Sequence, residues 1–234
     1  MNQDPDNSSA STMLTKCVLW DVDGVIIDSG EQHRAAWEEL ARLEGLPYSD
    51  EAFWPTFGMR NADVVPRLYQ VAGPPERVAA LGDRKEAIYR QLLAQEAKAL
   101  PGAKELMAAL HVAGYRQALG SSAPERNIAL IVELLGLGHW LEATVSGESV
   151  AHGKPAPDIF LAGAAKLGVA PERCLVIEDA VAGIQAAHAG GMRCLAVRRA
   201  GQPDAPGLDA ADYVADALTE VGVTLVDRLL GIAG

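Results

Sequence analysis

Residues 16–24 read KCVLWDVDG. Lys16 to Trp20 is a short apolar run, closed abruptly by two aspartates and a glycine. A parallel strand buried on both faces reads this way, because no polar residue alternates along it. The same pattern recurs beyond Pro101-Gly102. There the spacing predicts strands over 116–120, 143–145, 174–177 and 194–197, and an edge strand over 212–214. Helices are predicted between and after them, over 103–113, 124–135, 158–167, 180–189 and 218–229. Strands alternating with helices imply an α/β fold, a parallel sheet with helices on both faces.

The stretch between the first strand and Pro101 behaves differently. Helical spacing runs over 31–43, with Trp37, Leu40 and Leu43 on one face, and again over 63–71 and 75–97. Trp54, Pro55 and Phe57-Gly58 fall between helices in an expected loop. The simplest account is one α/β core domain of residues 13–29 plus 100–234, interrupted by an all-helical domain over 30–99. Residues 1–12, MNQDPDNSSAST, are polar and lack an apolar core, so a disordered tail is expected there and not a signal peptide.

Composition narrows the function. The chain has 234 residues, 49% apolar and 22% charged, as ordinary globular proteins do. Its 20 Lys and Arg face 31 Asp and Glu, for a net charge of −11. No basic cluster is present, which argues against a nucleic-acid partner. No run approaches the roughly 18 apolar residues of a membrane span, so no membrane partner is expected. Cys17, Cys174 and Cys194 lie in predicted strands without metal-ligand spacing, and read as buried free thiols in a reducing cytoplasm.

Ligands of open α/β sheets bind at the carboxyl ends of the strands. Asp21-Val22-Asp23-Gly24 follows the first strand, Ser121-Ser122 the second and Glu178-Asp179 the fourth. Gly153-Lys154-Pro155 lies between the third and fourth. Four acids converging on one edge repel each other unless a cation sits among them. A few hard oxygen ligands suit Mg²⁺, which shares a substrate phosphate. Each residue also has a plainer role available: acids and serines cap helices and turns, and a lone lysine is usually a solvated surface charge.

Four motifs appear in order: DVDGVIIDS at 21–29, LGSS ending at Ser122, HGKPAPDIF at 152–160 and VIEDAVAGIQAA at 176–187. Together they resemble the haloacid dehalogenase superfamily, and within it the β-phosphoglucomutase-like and phosphoglycolate-phosphatase-like branch with a Rossmann-like core and a helical cap. The resemblance implies a monomer acting on a small phosphorylated metabolite. It implies Asp21 as nucleophile and Asp23 as acid and then base. Ser121 would bond a phosphoryl oxygen, and Lys154 would neutralise its charge. Asp21, Asp179 and the Asp23 carbonyl would hold Mg²⁺, with Glu178 close by. His33, Gly58, Arg60, Asn61 and Ser122 would face the substrate. Arg60 could pair with a distal phosphate or carboxylate.

Lys85, in the charged stretch DRKEAIYR, is expected to pair at the surface, and Asp28-Ser29 to form a hinge. Mutases of this branch carry a lysine shortly after the serine of the second motif. Here the stretch is Ser121-Ser122-Ala123-Pro124-Glu125, and the cap-loop arginine is one position displaced. Hydrolysis is therefore the better expectation, a sugar phosphate mutase the alternative and a non-catalytic phospho-ligand sensor the second. The dehalogenases lack the second aspartate, which is present here as Asp23.

Overall fold

The computed structural model describes residues 15–71, 73–199 and 206–232. The stretch expected to be a disordered tail lies outside them. Six parallel strands form one sheet: β1 (Cys17–Trp20), β2 (Arg116–Ser121), β3 (Ala143–Ser146), β4 (Cys174–Glu178), β5 (Arg193–Val197) and β6 (Tyr213–Ala215). Their order is β3-β2-β1-β4-β5-β6. The chain thus steps outward from β1 in both directions, and the order reverses between β1 and β4. Such a reversal opens a crevice at the strand ends. Trp20 pairs in register with Leu119 of β2 and Ile177 of β4, so Asp21 emerges at the centre of that crevice.

All four β1 residues are buried because helices cover both faces. Val18 and Trp20 point to one side, into a core with α5 (Ala103–Val112), α6 (Glu125–Leu135) and α9 (Val223–Leu229). Cys17 and Leu19 point to the other, against α7 (Asp158–Leu167) and α8 (Val181–Ala189). All three cysteines are free and buried.

Between β1 and α5 stand α1 (Gly30–Glu44), α2 (Asp50–Phe53), α3 (Asn61–Tyr69) and α4 (Pro75–Gln95). They share a third core built on Trp37, Leu40, Phe53, Val65, Leu68 and Tyr69. The segments leading into and out of this insertion run side by side. Ile27 bridges Ala99, and the Leu100 N–H donates to the Ile26 carbonyl at 2.8 Å.

Two expectations need correction. The closing helix over 218–229 is broken into a 3₁₀ turn, Leu218–Glu220, and α9, because Gly222 is extended. Val221-Gly222-Val223 combines β-branched residues with glycine, all poor helix formers. The expected loop around Trp54 begins with a 3₁₀ turn, Trp54–Thr56, that continues directly from α2, which the Ser49 side chain caps by accepting from the Ala52 N–H. Among the described residues no helix is long and apolar enough to cross a membrane.

Candidate active site

Asp21 is anchored by its own N–H, which donates to the Ile177 carbonyl of β4 at 2.9 Å. Its side chain is buried with those of Glu178 and Asp179, and one oxygen from each lies within 4.8 Å of the others. Lys154 reaches in from the loop before α7, bonding Asp21 Oδ1 and, at 2.7 Å, Glu178 Oε1. Glu178 Oε2 accepts the N–H groups of Asp179 and Ala180, each at 2.8 Å. Two glycines make the packing possible. A Cβ on Gly24, whose φ is +88°, would stand 1.9 Å from Asp179 Oδ2; one on Gly183 would stand 1.8 Å from Glu178 Oε1. The donors are all carboxylate oxygens, the type that hard cations take.

Burial pushes Asp21 well above the ordinary carboxylate range; Lys154 pulls it down, and Glu178, Asp179 and Asp23 push it up further. Burial likewise raises Asp179 to about 7, against the pull of Arg199 beside it. Lys154 is raised despite its burial, because Asp21 and Glu178 favour its charge.

Asp23 turns away from this cluster toward the insertion. Its Oδ1 accepts from the Ser29 hydroxyl at 2.5 Å and meets His33 Nε2 at 3.2 Å. Lys85 Nζ lies 2.6 Å from His33 Nδ1, so an ammonium donor there puts the ring proton on Nε2, aimed at Asp23. The chain continues from Lys85 to Glu86 at 2.8 Å. The amide of Asn127 on α6 donates to Glu86 at 2.5 Å and accepts from Arg90 at 2.9 Å. Burial works to raise Asp23, yet His33, Ser29 and Lys85 outweigh it and hold the carboxyl at about 2.

Two expectations fail here. Lys85 is not a surface charge: only 2% of it is exposed, and it lies over the Trp37 and Tyr89 rings. Helical spacing carried the signal, since Leu81, Lys85, Tyr89 and Leu93 recur every fourth residue and are all buried. Ser29 is fully buried on Asp23 and belongs to the site as much as to a hinge.

Asp21 and Asp23 open into a pocket between the sheet edge and the insertion, partly open to solvent. Its walls include His33, Gly58, Asn61, Ser121 and Ser122 from the expected set, with Lys85, Glu86 and the rings of Trp37, Phe53 and Phe57. Ser121 also performs a turn role, its Oγ accepting the Ala123 N–H at 3.1 Å. Arg60 is not in the cavity wall. Its Nε is buried without a hydrogen bond, 3.6 Å from Asp63, where a Cβ on Gly153 would stand.

A family model described as haloacid dehalogenase-like hydrolase matches residues 15–191. The fructose-1-phosphate phosphatase YqaB of Escherichia coli is 36% identical over 77% of this chain and 95% of its own length. The β-phosphoglucomutase of Bacillus subtilis is 33% identical over 80% of this chain and 85% of its own. The crystal structure of β-phosphoglucomutase from Clostridium difficile superposes with a TM-score of 0.83, over 93% of this chain and 98% of that one, at 23% identity. That last likeness speaks for the fold alone.

Proposed function

The chain belongs to the haloacid dehalogenase-like hydrolases, and from that premise we propose that it is a Mg²⁺-dependent phosphatase. It acts as a cytoplasmic monomer on a small phosphorylated sugar or polyol. The observation that carries this reading is the opposite setting of two neighbouring carboxylates. Asp21 faces Lys154 and the acidic cluster, whereas Asp23 faces the His33 proton.

Asp21 attacks phosphorus, forming an aspartyl-phosphate as the P–O bond to the leaving group breaks. Asp23 gives that oxygen a proton, then removes one from the water that hydrolyses the intermediate, returning Asp21 and releasing phosphate. Its lowered pKa keeps Asp23 ionised before substrate arrives, the form in which it can accept a proton. The arrival of a phosphate dianion raises its pKa and lets it carry the proton needed for the first. Lys154 offsets charge on Asp21 and the phosphoryl oxygens, and Ser121 donates to one of them. Asp21 and Asp179, with the Asp23 carbonyl, would hold a Mg²⁺ ion, and Glu178 behind them holds Lys154. When bound, the ion supplies positive charge to the phosphoryl group. The helices over 30–99 act as a cap that excludes water. Aromatic walls beside Asn61, Lys85 and Glu86 suit a polyol, which has apolar C–H faces and many hydroxyls.

The test is phosphate release from a panel of sugar, polyol and hydroxy-acid phosphates, with Mg²⁺ and with chelator. Magnesium-dependent release from one class of substrate is expected. Conversion of β-glucose 1-phosphate to the 6-phosphate without release would replace the reading with a mutase.

A further inference from the structure

Three carboxylates of the cluster have two protein cations between them. Lys154 takes Asp21 and Glu178. The third, Asp179, is taken by Arg199, which stands two residues beyond β5 and donates from Nε to Asp179 Oδ2. The Asp179 side chain is 2% exposed and that of Arg199 22%. The guanidinium also lies 4.4 Å from the centre of the Phe57 ring, on the insertion. Arg199 thus touches both the cluster and the wall facing it. Gly24 leaves the space for this contact, since a Cβ there would overlap Asp179 and stand 3.4 Å from Arg199 Nε.

A divalent cation drawn to Asp21 and Asp179 must share Asp179 with a guanidinium, and two like charges a few ångströms apart repel. We propose that Arg199 lowers the affinity of the carboxylate cluster for its divalent cation, and that Phe57 of the insertion holds it in the position to do so. The proposal rests on the assignment of Asp21 and Asp179 as cation ligands. It makes affinity for the ion depend on where the Phe57 loop stands. By linkage, ion binding loosens the hold of Phe57 on Arg199 to the same degree. A surface ion pair of the ordinary kind would have no such link, because neither partner would be buried or touch the insertion.

The experiment is titration of Mn²⁺, followed by electron paramagnetic resonance, into the full chain and three variants. Arg199→Gln removes the charge and is expected to bind Mn²⁺ about tenfold tighter. Arg199→Lys keeps the charge and is expected to stay within about threefold of the parent. Phe57→Leu, which leaves the guanidinium without its ring, is expected to tighten binding about two- to threefold. Unchanged or weaker Mn²⁺ binding by Arg199→Gln overturns the proposal. So does a raised KM at unchanged Mn²⁺ affinity, which would make Arg199 a substrate contact. If Arg199→Gln does not fold, Phe57→Leu decides by the same criterion. Failure of the parent chain to bind Mn²⁺ would remove the cation site itself, an outcome distinct from a parent that binds and variants that do not differ.

Discussion

Asp21 and Asp23 are two residues apart and belong to two differently made halves of one site. The Asp21 half is built from strand ends and the loops beside them: Lys154, Glu178, Asp179 and Arg199. The Asp23 half is built from Ser29 and helix faces of the insertion: His33, Lys85 and Glu86, tied to Asn127 of α6. The first half crowds negative charge and raises its carboxyls; the second surrounds one carboxylate with donors and lowers it. Environments that push two acids apart are how one site assigns them separate tasks.

The contrast breaks most completely at Asp21. Asp21→Asn is expected to lower turnover about 10⁴-fold or more while thermal melting shows an intact fold. Near-normal turnover would remove Asp21 from the nucleophile role. Lys154→Met comes next. It leaves Asp21 and Glu178 buried without their shared cation, which costs about 3–5 kcal/mol in urea unfolding besides activity. A stability change below about 1 kcal/mol would mean that solvent reaches the cluster freely.

Lys85→Met tests the other half. Without an ammonium at Nδ1, His33 can move its proton away from Asp23, whose pKa should climb from about 2. We expect kcat to fall about 10–100-fold with KM nearly constant, and the acid limb of the pH–rate profile to move upward. An unmoved profile would reduce Lys85 to packing.

The two halves also predict opposite pH dependence of stability. Asp179, raised from 3.8 to about 7, keeps a proton in the folded chain that the unfolded chain has lost. Its contribution to stability therefore declines as pH rises from about 4 to 7. Asp23, lowered from 3.8 to about 2, contributes stability above 3.8 that is lost as pH falls toward 2. Chelated protein should accordingly gain more melting temperature from added Mg²⁺ at pH 8 than at pH 5. Equal gains would separate the ion from Asp179. The smallest effect is expected from Arg60→Ala, within about threefold in KM, because Arg60 stands against Gly153 outside the cavity wall. A larger, selective rise for substrates with two anionic groups would show that the insertion moves Arg60 inward on closing.

The same division explains what could be read before the fold was known. Buried parallel strands write continuous apolar runs, and the residue after each run is placed by the sheet, so Asp21, Ser121, Glu178 and Asp179 were legible along with the strands themselves, though not their order. Arg199 lay within reach of that rule and escaped it, because Arg198-Arg199 after β5 looks like surface charge. Lys85, Glu86 and Asn127 are set by contacts between helices far apart in sequence. In a charged stretch, only the four-residue spacing from Leu81 to Leu93 hints which lysine turns inward.

Gly183 lies inside α8, where alanine would ordinarily stabilise a helix by about 1 kcal/mol. An engineer seeking a more heat-resistant variant would choose it early. Yet its missing methyl is the room in which Glu178 sits, and through Glu178 the position of Lys154. Libraries sorted for thermal tolerance alone can admit alanine here only where Glu178 swings out of the cluster, at the expense of turnover. Libraries sorted for both traits should return glycine, and that difference locates the point where robustness and chemistry make incompatible demands on one atom.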